Sequence, residues 1–505
     1  LAKNIVFQWS LLSPCPKRSL LNGGGLLLPE GIKREPGGNR REDVHTFQYG
    51  GLKLVYDVNS GSLHEVDDLA WELINQLLNG RSKEDKRRAL LSPYSAGGIG
   101  GIGEIEEAYS QIEELQEEKL LFSPPPPLDN EKLSASGVKA LCLFISHNCN
   151  LYCRYCFARK EEGYRTPHMS WDVGKKAVDF LLENEVGRYR EIDFFGGEPL
   201  LNFPVIKEIV AYAREKSQAK GQIFGFTLTT NALLLNDEII DFLNNEGIDV
   251  ILSLDGRPQV HDLMRSFKNG KGSYEVVMKN IKKILQARGK MKRQNDFIRG
   301  TYTRFNLDFC SEIRHFLKQG FDSFSLEPVV CDKNENYALR EEDLPVLERE
   351  YDRLVDLFLE QKENGKPFRF YHFLFDLQEG PCLYKRLSGC GAGAEYLAVT
   401  ADGGLYPCHQ FAGIDEFYMG NLMDEPLVLK QEIGDNIAGA AWEREDCQSC
   451  WARYLCGRGC AASSYFIAKD LRKNYKIGCV LQKIRLERAL YLQAVDNTAA
   501  AGKML

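Results

Sequence analysis

The chain has 505 residues and a mass of 57.3 kDa, about three domains at ~100–200 residues each, which excludes a single small binding module. Hydrophobic residues make up 44% and charged residues 27%, enough apolar material for sizeable cores and too much for wholesale disorder. Lys plus Arg number 64 against 71 Asp plus Glu, a net charge of −7, the wrong sign for a general phosphate-backbone binder, so nucleic acid is not an expected partner.

In chain order, residues 1–42 start with Leu, contain Gly23-Gly24-Gly25 and Gly37-Gly38, and carry seven basic against three acidic side chains without clear periodicity. They read as a poorly ordered extension. Val44 to Tyr49, Leu52 to Val58 and Ser62 to Val66 read as strands, with Asn59-Ser60-Gly61 as a turn. Helical stretches follow at Asp67 to Leu78 and Glu104 to Leu121, the second placing Ile105, Ala108, Ile112, Leu115 and Leu120 on one stripe. Residues 43–123 thus read as a winged-helix-like module. Pro124 to Pro127 open a stiff linker, residues 124–137, because consecutive prolines fix φ and remove donors.

From 138 to 335, apolar runs alternate with amphipathic helices: Val138 to Ile145, Ile192 to Phe195, Phe224 to Leu228, Val250 to Leu254, Ile298 to Tyr302 and Phe321 to Leu326. The intervening helices, such as Asp172 to Asn184 and Tyr274 to Ala287, are long enough for crossovers between parallel strands. The expected fold class is α/β, a partial (β/α)6 barrel with its chemistry at the strand C-terminal ends. Residues 336–380 read as a bridging helical region with a helix near Glu341 to Gln361, 381–484 as a loop-rich, cysteine-rich domain, and 485–505 as a C-terminal helix or tail.

Fifteen cysteines are too few for a disulfide scaffold, and neither a signal peptide nor a run of ~20 apolar residues is visible, so the expected setting is the reducing cytoplasm, away from membranes. Three thiols crowd at 149 to 156 and eight fall between 382 and 479, a clustering that suggests metal. Cys142, Cys310 and Cys331 are isolated and read as packing residues, and Cys15 as incidental.

Cys149, Cys153 and Cys156 form C-x3-C-x2-C just after the first barrel strand. A 4Fe-4S cube takes four ligands, so three cysteines leave one iron open; a closed zinc knot would want a fourth donor, and His147 is the only one close by. The motif in this setting resembles the radical S-adenosylmethionine (SAM) superfamily. The resemblance implies that the open iron binds SAM and that its one-electron cleavage gives a 5'-deoxyadenosyl radical that abstracts hydrogen. It also implies SAM contacts from Tyr155, from Gly196-Gly197-Glu198-Pro199 after strand two, from Thr229 and Asn231 after strand three, and from Ser253 with Arg265 after strand four. Plain turn roles are the alternative for the later segments.

The C-terminal pattern is Cys390, twelve residues, Gly403, four residues, Cys408, then Cys447-x2-Cys450-x5-Cys456-x3-Cys460 and finally Cys479. It resembles the SPASM domain of radical SAM enzymes that modify peptides and proteins. By that resemblance Cys447, Cys450, Cys456 and Cys479 hold one auxiliary cluster, and Cys390, Cys408 and Cys460 hold another, bringing the count to three 4Fe-4S clusters. Cys382 is the candidate fourth ligand of the latter, with a substrate thiolate as the alternative.

Gly389 to Gly393 and Leu405 to Phe411, with the front module, look most like maturases of SCIFF peptides. That likeness implies a thioether from a peptide Cys to the α-carbon of a Thr in a small cysteine-rich precursor. It further implies a leader bound by the front module, a RiPP recognition element, as an added strand, and a reductant such as flavodoxin or ferredoxin. The alternatives are an anaerobic sulfatase maturase making formylglycine, against which His409 stands where an Asp is expected, and a non-catalytic electron-transfer protein. His409 is a weak catalytic candidate, with a hydrogen-bonding role near the cluster favoured. DNA binding by the front module is disfavoured, because Glu104, Glu106, Glu107, Glu113, Glu114, Glu117 and Glu118 crowd its second helix without a basic residue.

Overall fold

In the computed structural model, which describes residues 5–9, 40–79, 102–126, 137–158, 166–184, 187–289, 295–374, 377 and 389–501, the N-terminal strands make a four-stranded antiparallel sheet. Its strands are β1 (Ile5–Trp9), β2 (Val44–Tyr49), β3 (Leu52–Asp57) and β4 (Leu63–Val66), in the order β1-β4-β3-β2. Both faces of this sheet are buried, as the alternation along β3 requires. Val55, with Val44 and Val66, packs on the helices Asp68–Leu78 and Ile102–Glu117, whereas Leu54 and Tyr56 face the opposite way into the main core. The module is therefore docked on the rest of the chain through its second face. The strand β1 lies within the stretch expected to be an unordered extension, and its backbone pairs with β4 from Ile5↔Val66 to Trp9↔Leu63.

The second sheet has ten strands: β5 (Ala140–Ser146), β6 (Tyr189–Gly196), β7 (Ile223–Thr230), β8 (Asp249–Ser253), β9 (Phe297–Tyr302), β10 (Ser323–Pro328), β11 (Arg369–Phe370), β12 (Tyr396–Val399), β13 (Gly404–Tyr406) and β14 (Gly420–Asn421). Their order is β11-β10-β9-β8-β7-β6-β5-β12-β13-β14, parallel from β11 through β12. The six strands expected between 138 and 335 are β5 to β10, neighbours in chain order and joined through helices such as Trp171–Glu183, Phe203–Lys220 and Tyr274–Arg288. All seven residues of β5 are buried, since a parallel sheet is covered on both faces. Ser170 and Asn236 cap the helices that follow them, each accepting the amide three residues on, at 3.4 and 2.9 Å.

Three boundaries differ from expectation. The bridging region adds β11 to the parallel sheet beside β10, and the cysteine-rich region adds β12 beside β5, so it is continuous with the barrel sheet. The C-terminal helix, Lys476–Ala501, crosses the boundary placed at 484, and Leu481, Ile484, Leu490 and Leu492 are buried, so it is a core element. Among the described residues, no helix is long and apolar enough to cross a membrane.

Candidate active site

The C-x3-C-x2-C loop leaves β5 at its C-terminal end and is held there by main chain from two other segments. Gly197 N donates to Ser146 O at 2.7 Å and Glu198 N to Asn148 O at 2.8 Å, while Tyr152 N and Arg154 N donate to Ser266 O and Met264 O at 2.8 and 2.9 Å. The β5–β6 register shifts at this exit, and Gly196 has φ +133. A Cβ on Gly197 would lie 2.3 Å from Asn148 O and 2.6 Å from His147 O, so only glycine lets β6 approach the loop this closely.

Glu198 is fully buried beneath the loop. Its carboxylate accepts from Thr230 Oγ1 at 2.7 Å, Asn231 N at 2.8 Å and Leu200 N at 3.2 Å, and burial still pushes its pKa up to about 7. A carboxylate has about four acceptor positions, so one stays available for a cation. Asn231 links this carboxylate to the thiols, its Nδ2 donating to Asn150 Oδ1 at 2.7 Å and to Cys149 Sγ at 3.6 Å.

On the opposite side, Asp255 is the anchor. It accepts from Tyr155 Oη at 2.5 Å, Arg265 Nε at 2.9 Å and Thr301 N at 3.0 Å, and the Arg265 guanidinium lies 5.5 Å from the Tyr155 ring centroid. Arg265 is thus oriented by Asp255, and Ser253, Arg265 and Thr229 line one cavity.

The C-terminal thiols gather in two groups. Cys456 lies in the electrostatic field of Cys479, Cys450 and Cys447; Cys408 lies in that of Cys460 and Cys390. In the barrel loop, Cys149 is likewise influenced by Cys153 and Cys156. Burial, aided by these neighbours, pushes Cys149, Cys408 and Cys456 up to about 12 and Cys153 up to about 11. Crowded, desolvated thiols that resist ionisation alone are ionised by bound iron, so the donor sets fit iron–sulfur clusters. Among the described residues no three or more His, Cys, Asp or Glu side chains stand together at the spacing of a single bound metal ion. His147, the one nearby donor for a zinc knot, accepts the Ala401 amide at 3.2 Å. Cys382 lies outside the described residues. Gly403 has φ +88, and a Cβ there would meet Asn421 Oδ1 at 2.5 Å, which accounts for glycine at that place in the cysteine pattern.

One cavity of about 1190 Å3 reaches the barrel loop, Glu198, and thiols of both C-terminal groups. His409 lines it, with its ring centroid 5.0 Å from that of Phe195 and 5.6 Å from that of Phe157. Tyr396 Oη is 3.1 Å from His409 Nδ1, and burial, aided by Arg299, pulls the imidazole down to about 4. Sequence reasoning missed Glu327 and Arg299 on the wall. Burial alone would raise the Glu327 carboxyl, but His372 at 2.8 Å, with Arg485 and Arg299, holds it well below the usual carboxylate range. Strand-end polarity was the available signal. Of the isolated thiols, Cys142 and Cys310 are buried, whereas Cys331 lines the cavity.

Residues 143–296 match the family model described as the Radical SAM superfamily. The cysteine-type anaerobic sulfatase-maturating enzyme of Clostridium novyi is 25% identical over 349 residues, 64% of this chain and 88% of its own. The radical SAM cyclopropyl synthase TigE of Paramaledivibacter caminithermalis is 21% identical over 498 residues, 93% of this chain and 97% of its own. A solved structure, native anSMEcpe with bound AdoMet, matches with a TM-score of 0.58 at 21% identity over 72% of this chain and 99% of that one, a likeness of fold. The chain carries a radical SAM domain on a central parallel sheet. With these relatives the chain is an enzyme, similar in sequence to a sulfatase-maturating enzyme and a cyclopropyl synthase, and its match to the radical SAM superfamily lies in residues 143–296.

Proposed function

We propose that the chain is a peptide maturase that joins Cys sulfur to carbon, the α-carbon of Thr in the SCIFF manner, in a small cysteine-rich precursor whose leader adds to the N-terminal module. The observation that carries this reading is one cavity lined by the barrel thiols, by Cys447, Cys450, Cys456 and Cys479, and by Cys460 of the other C-terminal group. A thioether bond removes two hydrogens from the peptide overall, one from carbon and one from sulfur, so chemistry at the barrel mouth needs an electron acceptor within the same chamber. SAM and three iron–sulfur clusters, when bound, supply one-electron hydrogen-atom chemistry and that acceptor.

The chain's own residues prepare the chamber. Cys149, Cys153 and Cys156 hold the SAM-binding cluster; Cys447, Cys450, Cys456 and Cys479 hold one auxiliary cluster, and Cys390, Cys408 and Cys460, completed by Cys382 or a substrate thiolate, hold the other. Glu198 receives the SAM ammonium, and Arg265, fixed by Asp255, faces its carboxylate or ribose. Phe157, Phe195 and the neutral His409 give the wall beside Cys408 an aromatic character that favours a peptide segment over solvent.

Anaerobically reconstituted enzyme, given SAM, a flavodoxin or chemical reductant and a cysteine-rich precursor peptide, is expected to release 5'-deoxyadenosine and product lighter by two hydrogens per bridge, with one thiol lost each time. Oxidation at Cys without a crosslink would establish formylglycine chemistry instead.

A further inference from the structure

The loop Trp451 to Leu455, between Cys450 and Cys456, faces the N-terminal module. Arg453 is 5% exposed and spends its guanidinium across that interface: Nη1 donates to Glu42 O at 2.7 Å and to Cys450 O at 3.3 Å, and Nη2 donates to Asp43 Oδ1 at 2.6 Å and Asn59 Oδ1 at 2.8 Å. Trp451 stacks on His45 of β2 with centroids 3.9 Å apart and planes 1° from parallel, and meets Tyr56 of β3 edge-on at 6.3 Å.

The same His45 reaches the other segment that supplies a thiol. Its Nε2 is 2.9 Å from Glu487 Oε1 on the helix Lys476–Ala501, eight residues beyond Cys479 and about 12 Å along the axis at ~1.5 Å per residue. Tyr49 and Tyr491 meet edge-on at 4.8 Å, and the Arg488 guanidinium lies 4.6 Å from the Tyr49 ring centroid. Strand β2 therefore fixes the Cys450 loop relative to the Cys479 helix, two segments separate in sequence. Arg444, bonded to Leu471 O at 3.0 and 2.7 Å and to Arg458 O at 2.6 Å, braces the cysteine-rich loop from within, so Arg453 is free to act outward.

We propose that Arg453 and Trp451 are positioning residues through which the N-terminal module holds the Cys447, Cys450, Cys456 and Cys479 set in register, so that docking of the module and occupancy of that set are thermodynamically linked. The inference rests on the proposed function only in taking those four thiols as ligands of one metal centre. If docking strengthens metal retention by some factor, metal must strengthen docking by the same factor, because the linkage is reciprocal. The module is then more than a peptide-capture device: it is a structural part of the redox centre.

The test uses full-length, iron-reconstituted protein without SAM or peptide. In Arg453→Ala, iron is expected to leave this set to a chelator at least tenfold faster, and β2 amides to exchange at least tenfold faster, while Arg453→Lys recovers part of both. His45→Ala, which leaves Arg453 in place, is expected to shift both readouts in the same direction by less. Conversely, Cys450→Ser is expected to speed β2 exchange. Unchanged iron retention in both Arg453→Ala and His45→Ala, or β2 exchange indifferent to iron, overturns the proposal. So does Arg453→Ala opening β5 to β8 equally, since the module would then support the whole fold and not this set. Zinc in the four thiols with the linkage intact would sink the proposed function and leave this inference standing.

Discussion

The barrel loop at 149–156 and the cysteine-rich region at 390–479 both gather thiols around one cavity, but by different means. The first is carried by backbone: β5 delivers it, Gly197 lets β6 support it, and amides of the loop bond to Ser266 O and Met264 O. The second is carried largely by side chains, with Arg444, Arg453 and the His45–Trp451 stack tying together segments of little regular structure. A loop held by a buried parallel sheet keeps its shape without metal; thiols on side-chain-braced loops depend on the metal to hold theirs. The contrast suits an active centre that must stay preorganised while cofactor comes and goes, beside centres loaded once.

The largest effect expected from this contrast is on metal removal. Stripping iron with a chelator should raise hydrogen exchange in 445–460 by at least about a hundredfold, equivalent to ~3 kcal/mol, and leave β5 and β6 within about threefold. Equal opening of both regions would remove the distinction. Next, Arg265→Ala leaves Asp255 buried without its cation and is expected to cost ~3–5 kcal/mol in chemical denaturation, with SAM binding weakened. Gly197→Ala drives a Cβ into two carbonyl oxygens of the barrel loop and should cost ~2–4 kcal/mol, whereas Gly439→Ala, with open space around it, should stay within ~1 kcal/mol.

The smallest expected effect is on pH. Glu198 must be ionised to accept an ammonium, and burial holds its pKa near 7 in the cofactor-free chain. Affinity for SAM, by calorimetry, should therefore be flat above pH 7 and fall by up to about tenfold per unit below it. In Glu198→Gln that slope should vanish along with most of the affinity. A slope persisting in the variant would assign the titration to another group.

Much of the barrel was legible because its signals are periodic and local. Apolar runs announced β5 to β10. The pairing of β12 with β5 was not legible: Tyr396 to Val399 is four residues long, and its partner lies some 250 residues earlier, where no local pattern can point. Strand β1 was missed for the same reason, since the apolar run Ile5 to Trp9 finds its partner β4 at Leu63 to Val66, far along the chain. At the site, cysteine spacing was informative because a cube demands several thiols close together. Asp255, Glu327 and Arg453 act through contacts with residues distant in the chain, and a lone charged residue carries no spacing to read.

In the proposed function, Cys149, Cys153 and Cys156 hold a cluster that cleaves SAM reductively. The direct measurement is 5'-deoxyadenosine formed by anaerobically reconstituted, reduced protein with SAM, compared between the unaltered chain and Cys153→Ala. Sustained formation by the former and only background from the latter is the expected result. Equal turnover by Cys153→Ala, or none from an unaltered chain carrying its full iron, would contradict the account.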